Sequence, residues 1–177
     1  MKYFKHVNVD SESEKVVSKK LLDYVNSNGY SDKGFWTNVN THDVLNKVPE
    51  LAELYKPIGI NIKRIAFVTA KEKVGTIHID DPKTAPAIRI NIPVLNCEQT
   101  STNFYVSGKP ANETRLPSGI YYYKWDEKDC TLVASTCISR STLIRTNELH
   151  QVCIHTDNMP RITCTIEFYE DLEHLMN

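Results

Sequence analysis

The chain lacks an excess of charge of either sign: 21 Lys and Arg stand against 22 Asp and Glu, a formal net charge of −1. That balance argues against strong nonspecific binding to nucleic acid or to an acidic membrane surface, both of which need a large positive field. Long apolar runs are also missing. The opening "MKYFKHVNVDSESEK" has no signal-like apolar region, and nothing later approaches the roughly 18 apolar residues of a membrane span. The five cysteines, Cys97, Cys130, Cys137, Cys153 and Cys164, are an odd number without a C-x-x-C pair. This excludes zinc-type spacing and a disulfide framework, and it fits thiols buried as small apolar groups in a reducing, cytoplasmic setting. Asn112-Glu113-Thr114 matches a glycosylation sequon, but in that setting it reads as a polar loop. No G-x-S-x-G, phosphate-cradling glycine loop, internal repeat or low-complexity linker is present. At 177 residues the chain reads as a single domain, 1–177, long enough to enclose a pocket.

The patterning divides this domain into helical support over 1–60 and a strand-rich core over 61–170. Ser11 and Glu14 form an S-x-x-E capping box ahead of a helical stripe of Val16, Val17, Leu21, Leu22, Tyr24 and Val25, which Asn28-Gly29 ends. "THDVLNKVPELAELYKPIG" repeats the helical period with Thr41 as its cap and Pro49 as a break or new start. From Ile62 the period becomes two. Eight short segments rich in β-branched and aromatic residues follow, from "IKRIAFVTA" to "RITCTIEFY". The expected fold is mainly β with N-terminal helices, a jelly roll. The longest irregular stretch, Val106 to Gly119, reads either as a functional lid or as a plain exposed hairpin. In "GIYYYKW", Tyr121, Tyr123 and Trp125 share a face, with core packing favoured over a stacking wall for substrate.

"VGTIHIDDPKTAPAIRINIPV" places His78, Asp80 and Asp81 at a strand end, where burial costs free energy unless something binds them. Strand geometry points His78 and Asp80 to one face and Asp81 to the other. One imidazole and one carboxylate then converge, half of a two-histidine, one-carboxylate iron site. A hydrogen-bonded strand histidine followed by a turn at Asp81-Pro82 is the alternative. "NELHQVCIHTDNMPRITCTIEFY" adds His150 and, eleven residues on, Arg161 at the start of the last strand. His155 has the opposite register from His150 and faces away. His6, His42 and His174 lie in the termini or the helical part and read as surface residues.

The order H-x-D, distant His, then Arg resembles the Fe(II)- and 2-oxoglutarate-dependent dioxygenases, whose double-stranded β-helix is a jelly roll. "GTIHIDD", "AIRINIPVLNCEQTSTNFY" and "NELHQVCIHTDNMPRITCTIEF" are similar to the aspartyl/asparaginyl β-hydroxylase-like branch and to small bacterial and phage relatives, over roughly residues 40–170. The resemblance implies His78, Asp80 and His150 as iron ligands and Arg161 as the clamp on the distal carboxylate of 2-oxoglutarate. A guanidinium suits that role because its planar fork binds a carboxylate through two bonds. Thr163, two residues on, would add a hydrogen bond to the cosubstrate or be an ordinary strand residue. Arg89 and Asn91 share a face in a segment that contributes to the cosubstrate pocket, or form a polar surface. Better-known members of the hydroxylase branch lack the ligating carboxylate that Asp80 supplies here. The implied activity is hydroxylation of a small molecule or protein side chain with release of succinate and CO2. A non-oxygenase cupin isomerase or epimerase, whose metal sites usually begin H-x-H, and a non-catalytic jelly-roll binding module are the alternatives.

Overall fold

The computed structural model describes residues 2–33, 35–80, 83, 85–115 and 121–177, with the side chains of 114, 115, 121 and 122 left aside. Among the described residues twelve strands form two antiparallel sheets, and the architecture is a double-stranded β-helix. The major sheet contains β1 (Phe4–His6), β2 (Trp36–Asn38), β3 (Ile62–Ala70), β5 (Ile88–Leu95), β10 (Thr142–Arg145) and β12 (Arg161–Phe168). Their spatial order is β1-β10-β5-β12-β3-β2. The minor sheet contains β4 (Ile77–Ile79), β6 (Thr100–Ser107), β7 (Asn112–Arg115), β8 (Tyr121–Trp125), β9 (Cys130–Thr136) and β11 (His150–Ile154), in the order β7-β8-β4-β11-β6-β9. No helix among the described residues is long and apolar enough to cross a membrane.

Several sequence expectations need correction. The first sixty residues are not purely helical, because β1 and β2 pair with β10 and β3 and close the two edges of the major sheet. Helix α1 (Ser11–Ser27) is capped by Asp10, not Ser11: Asp10 accepts from the Ser13 amide at 2.8 Å. The capping box fails because Glu14 is needed elsewhere. Its buried carboxylate turns away from the cap to accept from the Ser141 amide, which holds the helix on the sheet. Asn40, not Thr41, caps α2 (Thr41–Lys47), and the Thr41 hydroxyl accepts from the Ile65 amide at 3.1 Å, tying the helix to β3. Pro49 separates α2 from α3 (Glu50–Tyr55) as its missing N–H requires. A short α4 (Glu173–Met176) ends the chain. Of the expected irregular stretch 106–119, Val106 and Ser107 finish β6 and Asn112–Arg115 pairs with β8; residues 116–120 lie outside the described set.

The core is not between the sheets. β12 is buried along its whole length, yet its period-two alternation sorts two chemistries. Ile162, Cys164, Ile166 and Phe168 join the helices in the main hydrophobic cluster, together with Ile88, Ile90 and Ile92 of β5 and Ile65 and Phe67 of β3. The alternate row, Arg161, Thr163, Thr165 and Glu167, is polar and equally buried. Opposite these four in register stand Ala70, Val68, Ala66 and Arg64 of β3. Apolar packing therefore occurs on the helix side, where each fully buried Ile or Phe contributes roughly 1.5–3 kcal/mol. That frees the space between the sheets to hold polar groups. A second, small cluster of Phe104, Ile138 and Ile144 seals one part of the interior, with Tyr3 tilted against Phe104 at 5.3 Å and Phe4 stacked on it at 6.0 Å.

Candidate metal centre

Ladder pairing brings the two histidines together. His78 of β4 and His150 of β11 are direct register partners, and their ring centroids are 4.5 Å apart. Asp80 follows the end of β4, its amide donating to the Thr146 carbonyl at 2.9 Å. One ligand atom from each of His78, Asp80 and His150 falls within 4.8 Å of the other two, a spacing that suits a shared metal ion. Asp81, expected to point elsewhere, lies outside the described residues.

The backbone fixes which nitrogen each ring presents. His78 Nδ1 lies 2.8 Å from the Thr76 carbonyl and His150 Nδ1 lies 2.8 Å from the Glu148 carbonyl. A carbonyl only accepts, so both Nδ1 atoms carry protons and each ring turns Nε2, the nitrogen left for a metal, away from that contact, the outer-shell arrangement that orients metal-binding imidazoles. The Nε2 atom of His78 is 3.8 Å from Asp80 Oδ1. The other oxygen of Asp80, Oδ2, accepts from Arg89 Nη1, which leaves Oδ1 facing the histidines.

Arg89 is buried and extends this charge pattern inward. Its Nη2 lies 2.9 Å from Glu167 Oε1, Glu167 also pairs with Arg64, and the Trp36 ring covers the Arg89 guanidinium at 4.9 Å. Charges alternate along Asp80, Arg89, Glu167 and Arg64, so each buried ion has an opposite partner. Neither Glu167 nor Trp36 was anticipated from the sequence. Glu167 had a signal, since it falls in phase with Arg161, Thr163 and Thr165; Trp36 had none. Breaking this support by Arg89→Ala leaves the three ligand types in place but releases Asp80. Metal affinity, measured by equilibrium dialysis, is expected to fall about 10–100-fold, the scale for losing an outer-shell partner.

Burial, aided by the neighbouring His150, pushes His78 down to about 4, while the Thr76 carbonyl and Asp80 act the other way. His78 is thus neutral and able to coordinate at ordinary pH. The consequence for stability has a definite sign: an unfolded histidine takes a proton near its usual 6.5, the folded one only near 4, so between those values the unfolded chain binds more protons. Metal-free protein is expected to lose stability as pH falls from about 6.5 towards 4, read as a falling midpoint in thermal unfolding, and His78→Asn should flatten that slope.

All seven residues singled out in the sequence, His78, Asp80, His150, Arg161, Thr163, Arg89 and Asn91, line one cavity of about 70 Å³ between the sheets. Arg161 is 1% exposed. Its Nε donates to the Thr100 hydroxyl at 3.2 Å, and no carboxylate of the described residues pairs with it. Burial lowers its affinity for its proton, with the Cys97 and Cys137 thiols acting in the opposite direction. Arg89 Nε, Asn91 Oδ1 and Thr102 Oγ1 are buried without a hydrogen-bond partner. The cavity thus holds one unpaired guanidinium together with unsatisfied polar atoms, an arrangement chemically able to receive a polar, anionic guest at Arg161.

Other residues behave as read or fall away. His155 bonds Ser101 at 3.0 Å on the exterior and does not line the cavity. Tyr123 and Trp125 are half-buried, not core, and Trp125 donates to the Lys109 carbonyl at 3.0 Å; the Tyr121 side chain lies outside the described set. All five cysteines are free thiols, with Cys97 and Cys164 buried.

No protein-family model matches the chain, and no curated protein matches it in sequence. Solved structures do match in fold. The non-heme alpha-ketoglutarate-dependent carbocyclase SnoK of nogalamycin biosynthesis superposes with a TM-score of 0.56 at 11% identity, over 94% of this chain and 79% of that one. The epimerase SnoN of the same biosynthesis gives 0.53 at 13% identity, over 93% and 76%. HygX from Streptomyces hygroscopicus, with nickel and 2-oxoglutarate bound, gives 0.52 at 10% identity, over 93% and 81%. At such identities the likeness defines the fold.

Proposed function

We propose that the 177 residues act as one Fe(II)- and 2-oxoglutarate-dependent oxygenase. Its metal would be held by His78 Nε2, Asp80 Oδ1 and His150 Nε2. The observation that carries this reading is the coincidence, in one cavity, of a gathered His-Asp-His set and a buried guanidinium without an anion. Two neutral imidazoles and a carboxylate suit Fe(II) and leave coordination positions open. When bound, iron and 2-oxoglutarate would supply oxidative decarboxylation of the cosubstrate to succinate and CO2, coupled to oxidation of a second substrate.

The chain's own residues would bind, orient and exclude water. Arg161 would take the distal carboxylate of 2-oxoglutarate through its terminal nitrogens, while Thr100 holds its Nε in place. Thr163, next along the same strand face, would offer its hydroxyl to the same carboxylate. The terminal nitrogens of Arg89 are engaged by Asp80 and Glu167, so only its Nε, with Asn91 nearby on β5, would remain for the cosubstrate. The buried Phe104 ring, 6.3 Å from that of His150, packs behind this ligand.

Hydroxylation is the outcome we assign, and the motifs "GTIHIDD" and "INIPV" favour a relationship to the aspartyl/asparaginyl hydroxylase-like branch. Among the similar folds, SnoK and SnoN are alpha-ketoglutarate-dependent and HygX binds 2-oxoglutarate, which supports the cofactor reading more than any one oxidative outcome. A metal isomerase without cosubstrate would leave Arg161 an uncompensated buried charge. Incubation with Fe(II), ascorbate and 2-oxoglutarate in air should release succinate slowly even without substrate. No succinate above a metal-free control from protein shown to contain iron would refute the assignment.

A further inference from the structure

A second cavity, of about 550 Å³, opens beside the metal site and shares Phe35, His78 and Val152 with the inner one. Its size is that of a pocket for a small organic molecule. The two cavities meet at His78, one of the three candidate metal ligands, so the outer one is where a substrate would meet the metal. Resting on the oxygenase reading, we infer that this cavity takes an uncharged, ring-bearing small molecule, stacked on Phe35 with its reacting carbon towards His78.

Three observations select that class. Phe35 is 56% exposed at the rim shared by both cavities, although its backbone is pinned: its carbonyl accepts from the Thr69 amide at 2.9 Å, beside the start of β2. A fixed aromatic face without a ring partner among the described residues is a platform for another ring. Charge in the cavity is balanced and does not favour an anion. The cavity carries Lys33 and Lys71 against Asp32 and Glu72; the Lys33 ammonium sits over the Tyr30 ring at 4.4 Å, and that of Lys71 donates to the Asp32 carbonyl at 3.3 Å. With two cations against two carboxylates, the cavity offers a phosphate- or carboxylate-bearing substrate no net attraction. Finally, the wall between the two cavities is held rigidly. Gln151 donates to the Gly75 carbonyl at 2.8 Å and is itself fixed by Tyr105 at 2.6 Å, and a Cβ at Gly75 would come within 3.2 Å of the Val152 carbonyl. A preformed wall suits a compact rigid guest better than a peptide needing a long open groove.

The test uses two dyes of one ring system: uncharged N-phenyl-1-naphthylamine and its sulfonated, anionic analogue 8-anilinonaphthalene-1-sulfonate. In metal-free full-length protein the uncharged dye should bind one-to-one, at least tenfold more tightly than the anionic one, and Phe35→Ala should weaken it about tenfold. Phe35→Leu, which keeps the apolar bulk, should fall between. Val16→Asp, in the separate groove between α1 and α3, should change nothing. Equal or tighter binding of the anionic dye, indifference to Phe35→Ala, or loss in Val16→Asp would overturn the proposal. Nickel(II), loaded with the dye present, should quench its fluorescence. Nickel that binds by dialysis without quenching places the dye elsewhere and also overturns it. Nickel that fails to bind refutes the metal centre instead, and the dye comparison still decides the substrate class.

Discussion

Asp80→Ala is expected to abolish metal binding at the interior site and every metal-dependent activity with it. The variant loses one of three ligand atoms that lie within 4.8 Å of one another, and it also leaves Arg89 with Glu167 as its sole carboxylate partner among the described residues. A cationic guanidinium released beside two imidazoles would repel an incoming divalent ion. Asp80→Asn separates these effects, because it keeps a hydrogen-bond acceptor near Arg89 while removing the negative charge. Asn should rescue the fold more than the metal affinity. His150→Ala should match Asp80→Ala in metal loss, whereas His155→Ala should bind metal as the parent does, since His155 engages Ser101 on the exterior. Isothermal titration with an anaerobic Fe(II) solution reads all four variants. Iron binding retained in His150→Ala and lost in His155→Ala would reverse the ligand assignment.

Arg161→Ala is expected to bind Fe(II) nearly as the parent does but to need far more 2-oxoglutarate. Arg161 shares the cavity with the ligands without ion-pairing to any of them, so its removal leaves the metal site intact. What is lost is a charge-assisted, two-pronged contact with a carboxylate in a buried setting. Truncating one member of such a pair costs about 2–5 kcal/mol, or about 30- to 4,000-fold in affinity. Arg161→Lys should recover only part of this, because an ammonium is a point charge that cannot match the fork. Competition between 2-oxoglutarate and a dicarboxylate such as succinate would show whether the distal carboxylate is the group lost. Thr163→Val is nearly isosteric and removes only the hydroxyl, so its cost should be about tenfold or less.

Much of this centre was legible because strand period carries it. The i, i+2 rule put His78 with Asp80, Arg161 with Thr163, and Arg89 with Asn91, and the structure has each pair lining the same cavity. The same rule turned His155 outward. Harder to read were elements whose identity is set by pairing and not by pattern. β1, β2 and β10 are only three or four residues long, too short for a periodic signal, and their place comes from the edges and neighbours they complete. The capping residues were each misplaced by one position, at Asp10 and Asn40, because Glu14 and Thr41 serve tertiary contacts that local spacing does not reveal. Trp36 over Arg89 joins strands on opposite sides of β3 and β12, a contact that sequence distance conceals.

The inverted division of the sandwich explains why the site tolerates so many polar groups. Helices take the apolar rows of β3, β5 and β12, so the inner rows of those strands are largely free of apolar packing. Threonines dominate that row and its surroundings, with Thr102, Thr146, Thr163 and Thr165 all lining the cavity. They fill space like valine while leaving a hydroxyl for a guest. Metal and cosubstrate would then convert a polar void into a filled one, and loading should raise the unfolding temperature as well as permit turnover.

The central claim is that the His78, Asp80 and His150 metal and the Arg161 anion site act on one bound molecule. Anaerobic addition of 2-oxoglutarate to the Fe(II)-loaded protein tests it most directly, since a keto acid chelating Fe(II) gives a visible metal-to-ligand charge-transfer band. The account predicts a band that saturates at one equivalent of iron, shifts to much higher 2-oxoglutarate in Arg161→Ala, and never forms in Asp80→Ala. Protein that binds Fe(II) stoichiometrically yet develops no band at any 2-oxoglutarate concentration would contradict it.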